Sequence, residues 1–254
     1  MAKELSELSD WVTKSEWPKV RCSECVEGAL SFERYEVLGD PESVEHERLF
    51  KRGEVGWEEE SGTFVGSLKC DNHDCGRLVA MAGDWDSVWG TNPDDGNDTL
   101  FERFRVRYLN PAPPLLLTPK KTPVEVVTAI NTASAVVWIS PDSAATQLRL
   151  GVEELLTALK VKRTTIKKGK RRRVSAHDRV EILKASRPDV AETLMAVKWI
   201  GNSGTHSSGM SIADVAKGAK ILEHALRQLY DTSEAALIAE ARAINKRRGL
   251  LGRS

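Results

Sequence analysis

The chain has 254 residues, of which 41% are hydrophobic and 29% charged, a composition typical of a globular protein with room for two domains. No apolar run approaches the ~20 residues of a transmembrane helix. The N-terminal MAKELSELSDW also lacks the basic-then-apolar order of a signal peptide, so we expect a cytoplasmic protein without a membrane contact. The net charge is zero, but residues 1–110 hold 13 Lys and Arg against 24 Asp and Glu, whereas residues 111–254 hold 24 against 13. This asymmetry predicts two modules with different surfaces.

Residues 1–110 are predicted to form a small β-rich domain. Glycines recur between short apolar runs such as GTFVGSL and RLVAMAG, a pattern typical of short strands and turns. The acidic stretch 84–102 is interpreted as a surface loop. After it, Phe104, Val106 and Tyr108 alternate with three arginines, and this period of two predicts a half-buried strand with a basic outer face.

The four cysteines of this domain form two close pairs, Cys22 with Cys25 and Cys70 with Cys75. Two such turns, each supplying two thiolates, are what a tetrahedral zinc ion requires. We therefore predict a zinc-ribbon-like domain in which all four cysteines bind zinc. A site closed by four thiolates is structural, because it leaves no position for a catalytic water. The 44 residues between the pairs are more than a simple ribbon needs and predict an insertion or extra strands. The alternative is four unligated thiols in a reducing compartment.

Five prolines in NPAPPLLLTPKKTP predict an extended connector, assigned to residues 111–123. Residues 124–254 then show the period of amphipathic helices and predict an all-α bundle, mostly antiparallel because the links are short. Ser175 with Asp178 and Ser211 with Asp214 have the spacing of helix N-terminal caps. Pro188 predicts a helix that runs to about Ile200. The predicted fold class is therefore α+β, with a β-rich zinc-ribbon-like domain before a helical bundle.

The segment 160–173, KVKRTTIKKGKRRR, holds nine Lys or Arg and no acidic residue. It is interpreted as an exposed loop between two helices. Such a run is either a solvated connector or a contact for the phosphate backbone of RNA or DNA, which would be independent of sequence. No aromatic residue is interleaved, so base stacking is not predicted here. The candidate nucleic-acid-binding residues are Lys167, Lys168, Lys170, Arg171, Arg172 and Arg173.

Several features together resemble the prokaryotic domain-of-unknown-function family 4145 over nearly the whole chain. In chain order they are Trp17-Pro18 before the first cysteine pair, Cys75-Gly76 at the end of the second, the proline-rich connector, Arg149 and Glu153 in QLRLGVEELL, and Ile200-Gly201-Asn202 followed by His206. The spacing Gly-Asn-x-x-x-His is the most specific of these. That family looks like a branch of the HEPN superfamily, helical bundles found in toxins, CRISPR-associated nucleases and anti-phage proteins, often with a zinc ribbon in front.

The resemblance implies a homodimeric bundle and, in HEPN ribonucleases, a metal-independent site with an Arg-polar-x-x-x-His motif. Asn202 and His206 match the polar and histidine positions, but Gly201 stands where the arginine would be. The loss of one charge-stabilising group costs on the order of 10²–10³-fold in rate. Arg149 could replace the arginine in space, with Glu153 one turn later on the same helix face. The alternative is that Arg149 and Glu153 form a buried ion pair that orients Asn202 and the helix end, and that His206 is a core or cap histidine.

Three functions follow as hypotheses. The first is a zinc-containing module that binds nucleic acid or a protein partner in anti-phage defence or a toxin–antitoxin system. The second is a ribonuclease that uses His206, Asn202, Arg149 and Glu153. The third is a scaffold subunit of a restriction-type complex that makes no nucleic-acid contact.

Overall fold

The computed structural model describes residues 5–18, 20–25, 27–56, 58–92, 96–167, 169–206, 209–231 and 233–247. The strands are β1 (Val20–Arg21), β2 (Ala29–Gly39), β3 (Glu60–Cys70), β4 (Leu78–Thr91), β5 (Asp98–Asn110), β6 (Thr164–Lys167) and β7 (Lys170–Arg173). The α-helices are α1 (Pro41–Lys51), α2 (Val124–Val136), α3 (Pro141–Ala158), α4 (Ala176–Lys184), α5 (Pro188–His206), α6 (Ile212–Tyr230) and α7 (Ser233–Arg247). A short 3₁₀ helix, Leu5–Ser9, precedes them. The mixed composition, a sheet followed by helices, agrees with the predicted α+β class.

Strands β1 to β5 form one antiparallel sheet in which each strand pairs with the next along the chain. The prediction of short strands was wrong, because β2 to β5 have 11 to 14 residues. Gly62, Gly66 and Gly83 lie inside these strands rather than in turns between them. A Cβ on Gly62 would lie 2.2 Å from the carbonyl oxygen of Leu38, and one on Gly83 would lie 2.1 Å from that of Arg105. Glycine therefore permits close strand contact within the sheet.

The stretch 84–102 is a β-hairpin rather than a loop, since Asp84 lies in β4 and Glu102 in β5. The alternation predicted for β5 is confirmed for Phe104 and Val106, which are fully buried. Tyr108 is exposed instead, because a bulge shifts the register between the pairs Ala82–Tyr108 and Gly83–Val106. The extra residue at a bulge moves the following side chains to the other face, which is why Leu109 is buried in place of Tyr108.

One apolar core runs from the sheet into the helices. Phe32, Phe64 and Phe104 pack edge to face or tilted against one another on the buried side of the sheet, with centroid distances of 5.2 to 5.7 Å. The 3₁₀ helix contacts both β5 and α6, and its Leu8 is fully buried. The connector is also held against the helices, because the backbone N–H of Leu115 donates to the Ser134 hydroxyl.

The helices begin where their caps predict. The Ser211 hydroxyl accepts from the backbone of Asp214, whose carboxylate accepts in return, and Ser175 accepts from the backbone of Asp178. The C-terminal end of helix α5 differs from the prediction. The helix does not stop near Ile200 but continues through the GNSGTH segment to His206. Gly201 is therefore an internal helix residue rather than a terminal one.

The basic segment 160–173 is not a loop. Residues Thr164–Lys167 and Lys170–Arg173 pair as an antiparallel hairpin, β6 with β7. The hairpin closes through a hydrogen bond from the N–H of Val174 to the carbonyl of Arg163, 2.9 Å long, and Val161 and Val174 at its base are buried. Tertiary anchoring of these two valines outweighs the poor strand propensity of consecutive lysines and arginines.

Candidate functional sites

The four cysteines come together at one end of the sheet. Cys22 and Cys25 lie in the turn between β1 and β2, whereas Cys70 ends β3 and Cys75 lies in the turn before β4. The two turns meet because β2 pairs with β3 in a register that sets Leu30 opposite Cys70. The residues between the cysteine pairs are thus extra strands and a helix, as the sequence predicts. All four Sγ atoms lie within 4.8 Å of one another.

The spacing of the sulfur atoms fits a tetrahedral metal ion. The Sγ atoms of Cys22 and Cys75 are 3.8 Å apart, and those of Cys25 and Cys70 are 3.6 Å apart. A zinc ion with Zn–S bonds of about 2.3 Å sets its sulfurs about 3.8 Å apart. The cysteines are therefore compatible with zinc, and all four are free of disulfide bonds.

Backbone N–H groups of the first turn point at the sulfurs. Glu24 donates to Cys22 Sγ at 3.4 Å, and Gly28 donates to Cys25 Sγ at 3.3 Å. The Gly28 hydrogen bond lowers the pKa of Cys25 to about 7, while burial raises the pKa of Cys70 to about 12. Cys70 by itself is therefore a neutral thiol at neutral pH, and a cation beside it, such as a metal ion, would be needed to stabilise its thiolate.

Gly28 is required by this geometry. A Cβ at this position would lie 2.4 Å from Cys70 Sγ and 2.8 Å from the Cβ of Asn72. The carbonyl of Gly28 also accepts from the N–H of Cys22 at 2.9 Å. Gly28 therefore lets the first turn approach the second, a contact that inspection of the cysteine spacing alone does not reveal.

In the helical part, Gly201 lies at the closest contact between α3 and α5. A Cβ on Gly201 would lie 2.6 Å from the Cβ of Arg149 and 2.9 Å from the carbonyl oxygen of Ala145. No side chain fits there unless the helices move apart. Arg149 thus occupies the space into which a side chain at position 201 would extend.

The predicted pair of Arg149 and Glu153 is present. Arg149 Nε lies 3.5 Å from Glu153 Oε1, and the other carboxylate oxygen lies 3.2 Å from Arg173 Nη2. The prediction that this ion pair is buried was wrong, because 34% of the Arg149 side chain and 19% of the Glu153 side chain are accessible to solvent. One carboxylate thus serves two arginines, and it joins α3 to the end of the basic hairpin.

The remaining members of the predicted motif lie on the last turns of α5. Asn202 is half-buried next to Gly201. The side chain of His206 lies outside the described residues, so its position relative to Arg149 stays a prediction. Lys198 is one turn earlier and only 7% exposed, and burial together with the nearby Arg149 lowers its pKa.

The basic hairpin presents its cations to solvent. Lys170, Arg171, Arg172 and Arg173 are all exposed. Arg171 contacts the Thr164 hydroxyl at 3.2 Å, and within the described part of the chain only Arg173 of this strand pairs with a carboxylate. Lys168 and the side chain of Lys167 lie outside the described residues.

Sequence reasoning missed Arg179, which is 4% exposed on α4. Its guanidinium donates to the carbonyls of Glu153 and Val161 at 3.1 and 3.3 Å, near the C-terminal end of α3. Burial lowers its pKa. Helix carbonyls carry partial negative charge, so the contact fixes α4 and the base of the hairpin to α3. Nothing in the spacing of HDRVEILK distinguishes this arginine from an exposed one.

Comparison with known families finds one match. Residues 131–247 match the family described as Domain of unknown function (DUF4145). The match covers slightly less than half of the chain and supports the family resemblance for the helical part. No curated protein and no solved structure matches the chain. None of the helices that the structure describes has the length and hydrophobicity needed to cross a bilayer.

Proposed function

We propose that this chain is a zinc-containing nucleic-acid-binding protein, in which the cysteine cluster stabilises the sheet and the basic hairpin contacts phosphates. One observation carries the nucleic-acid part: four consecutive cations in β7 are exposed on a fixed hairpin, and only Arg173 among them has a described carboxylate partner. Cations without internal partners are available to external anions. Each one that neutralises a phosphate releases a counterion, which supplies affinity independent of sequence.

The zinc part rests on the sulfur geometry. Two of the distances between Sγ atoms, 3.6 and 3.8 Å, match the edge of a tetrahedron of sulfurs around zinc, and all four sulfurs lie within 4.8 Å of one another. Elemental analysis of the purified protein tests it, with one zinc per chain expected. Replacement by Co²⁺ would give the visible absorption of a tetrahedral thiolate site. A protein that contains no metal after purification, and that takes up neither Zn²⁺ nor Co²⁺, contradicts this assignment.

The nucleic-acid part is tested by fluorescence anisotropy with labelled RNA and DNA over a range of salt concentrations. We expect binding with little sequence preference, and a plot of log K against log salt with a clearly negative slope. A protein that binds no oligonucleotide at low salt contradicts the proposal. Binding with a flat salt dependence would show that phosphate contacts do not supply the affinity.

A HEPN-type ribonuclease is the second candidate, and the contact between Gly201 and Arg149 favours it. Because Arg149 extends beside the position of the missing motif arginine, it could stabilise charge on a phosphorane, with Asn202 as the polar member and His206 as the proton-transfer group. Such sites form between two copies, so this candidate also requires a homodimer, which sedimentation analysis checks.

The ribonuclease candidate is tested by RNA cleavage in EDTA with wild type, His206→Ala and Arg149→Lys. Wild-type cleavage that falls about 10²–10³-fold in Arg149→Lys, and is lost in His206→Ala, would support it. Equal amounts of intact RNA in all three samples would contradict the ribonuclease candidate and favour a binding module without catalytic activity. For either candidate, the resemblance to HEPN proteins suggests a setting in anti-phage defence or a toxin–antitoxin pair.

A further inference from the structure

An exposed tryptophan lies beside the cationic surface of the helical part. Trp199 on α5 is 54% exposed, although most large apolar side chains of the helices are buried. The ammonium of the adjacent Lys198 lies over its ring, 3.3 Å from the centroid. The imidazole of His177, from the start of α4, is 6.1 Å away between ring centroids. The indole is therefore held by two neighbours while more than half of its surface remains accessible.

This indole lies close to the end of the basic hairpin, because the ring of His177, 6.1 Å away, belongs to a residue only four positions after Arg173 of β7. Lys198 lies near Arg149, whose charge acts on it. Arg149 pairs with Glu153, and Glu153 pairs with Arg173 at the end of β7. Arg149 and Arg173 thus share the single carboxylate of Glu153. Like charges in such proximity repel one another, and an anion bound among them relieves that repulsion.

We propose that Trp199 is a base-stacking subsite for single-stranded nucleic acid, with the phosphates of the same strand bound along the exposed cations of β7. This inference rests on the proposed nucleic-acid binding and adds a preference for single strands over duplexes. An aromatic face beside a positively charged groove is the arrangement by which proteins bind single strands without reading their sequence. Bases in a duplex are stacked on one another and are not available to the indole.

The test compares Trp199→Ala with wild type in binding to labelled oligo(U), oligo(dT) and a duplex. We expect the dissociation constant for both single strands to rise about 5- to 150-fold, because stacking on one aromatic side chain contributes this much per base. The duplex dissociation constant and the salt dependence should stay unchanged, since the phosphate contacts remain. Trp199→Phe should keep most of the single-strand affinity. A loss for oligo(U) but not for oligo(dT) would contradict base stacking, because both bases present an aromatic face to the indole.

Trp89→Ala is the matched control, because Trp89 is 60% exposed but lies on β4 in the sheet. It should bind all three probes as wild type does, and circular dichroism should show unchanged folding for every variant. If Trp199→Ala binds single strands as tightly as wild type, or weakens single strands and duplex equally, the stacking subsite is wrong while nucleic-acid binding stands. If wild type binds none of the probes, both proposals fail.

Discussion

The cysteine cluster and the cations of β7 differ in whether their side chains find partners within the protein. The four sulfurs lie within 4.8 Å of one another, and those of Cys22 and Cys25 also accept from backbone N–H groups, so the cluster is compatible with a tetrahedral metal ion. The cations of β7 face solvent, and among them only Arg173 has a described carboxylate partner. A cluster of four cysteines leaves no open position on a metal and fits a structural role, whereas exposed cations without carboxylate partners are suited to an external anion. Local composition does not reveal this difference, because both regions are rich in reactive or charged side chains.

The arginines of β5 provide the same contrast within one residue type. Arg103 makes a two-point contact with Asp86 at 2.6 and 3.0 Å, and Arg105 and Arg107 both donate to Asp84 at 2.8 Å. The sequence predicts a basic outer face here, but Asp84 and Asp86 of the neighbouring strand pair with all three arginines. Paired arginines of this kind hold two strands together and are less available to a phosphate.

The largest effect is expected from removal of a cluster cysteine. Cys22 is fully buried, and Cys22→Ser replaces a thiolate by a hydroxyl that binds zinc poorly. We expect loss of bound zinc and a fall in the free energy of unfolding of more than about 4 kcal/mol, since loss of a structural metal belongs to the most destabilising changes. Denaturant unfolding with and without a chelator measures it. Equal stability of the variant, the chelated protein and the wild type would show that the cluster is not a metal centre.

A smaller effect is expected at Gly28, whose Cβ would lie 2.4 Å from Cys70 Sγ. Gly28→Ala should destabilise the fold by about 1–3 kcal/mol through overpacking and weaken metal binding about 10- to 100-fold. Gly56→Ala is the control, because no atom lies within 4 Å of its Cβ position. Competition with a chromophoric chelator gives the metal affinity. If both variants bind metal alike, the close approach of the two turns is not needed for the site.

The smallest effect is expected at Asp84. Burial opposes its ionisation, but hydrogen bonds from Arg107 and Arg105 outweigh burial and hold its pKa below the ordinary 3.8. Because the folded pKa lies below the unfolded one, ionised Asp84 stabilises the sheet above about pH 4, and this contribution disappears as the pH falls through the lowered pKa. The carboxylate is one-third exposed, so solvent screening limits the gain, and Asp84→Asn should cost about 0.2–1 kcal/mol at neutral pH.

Unfolding of wild type and Asp84→Asn, measured from neutral pH down to about pH 2, checks this sign. The two stability curves should converge at the acid end. A difference that grows on acidification would mean that the ion pairs do not stabilise the sheet.

Local signals in the sequence predicted the elements that depend on local chemistry. The caps at Ser175 and Ser211 are set by side chains three residues away, and the cysteine pairs lie within single turns, so both were found. GNSGTH was misread because its glycine looks like a helix end. Gly201 instead provides room for Arg149, which is 52 positions earlier in the sequence. The contact depends on how α3 packs on α5, and no local pattern records it.

The basic hairpin and the β5 bulge were missed for a related reason. Segment 160–173 lacks the alternation of a strand, and its fold depends on Val161 and Val174 packing below it. The bulge between Ala82 and Gly83 is a property of the pairing of β4 with β5. Trp199 reads in the sequence as one more apolar residue of α5, and only its 54% exposure beside Lys198 separates it from the core.

The salt dependence of nucleic-acid binding tests the central claim most directly, by comparing two triple variants with wild type. Lys170, Arg171 and Arg172 are changed to Gln in one, and Arg103, Arg105 and Arg107 in the other. The account predicts that the β7 variant binds duplex DNA more weakly. Its log–log slope should become less negative by about 2–3, since each phosphate that is no longer neutralised changes the slope by about 0.9. The β5 variant should keep the wild-type slope. Equal slopes for wild type and the β7 variant, or a shallower slope only for the β5 variant, would contradict it.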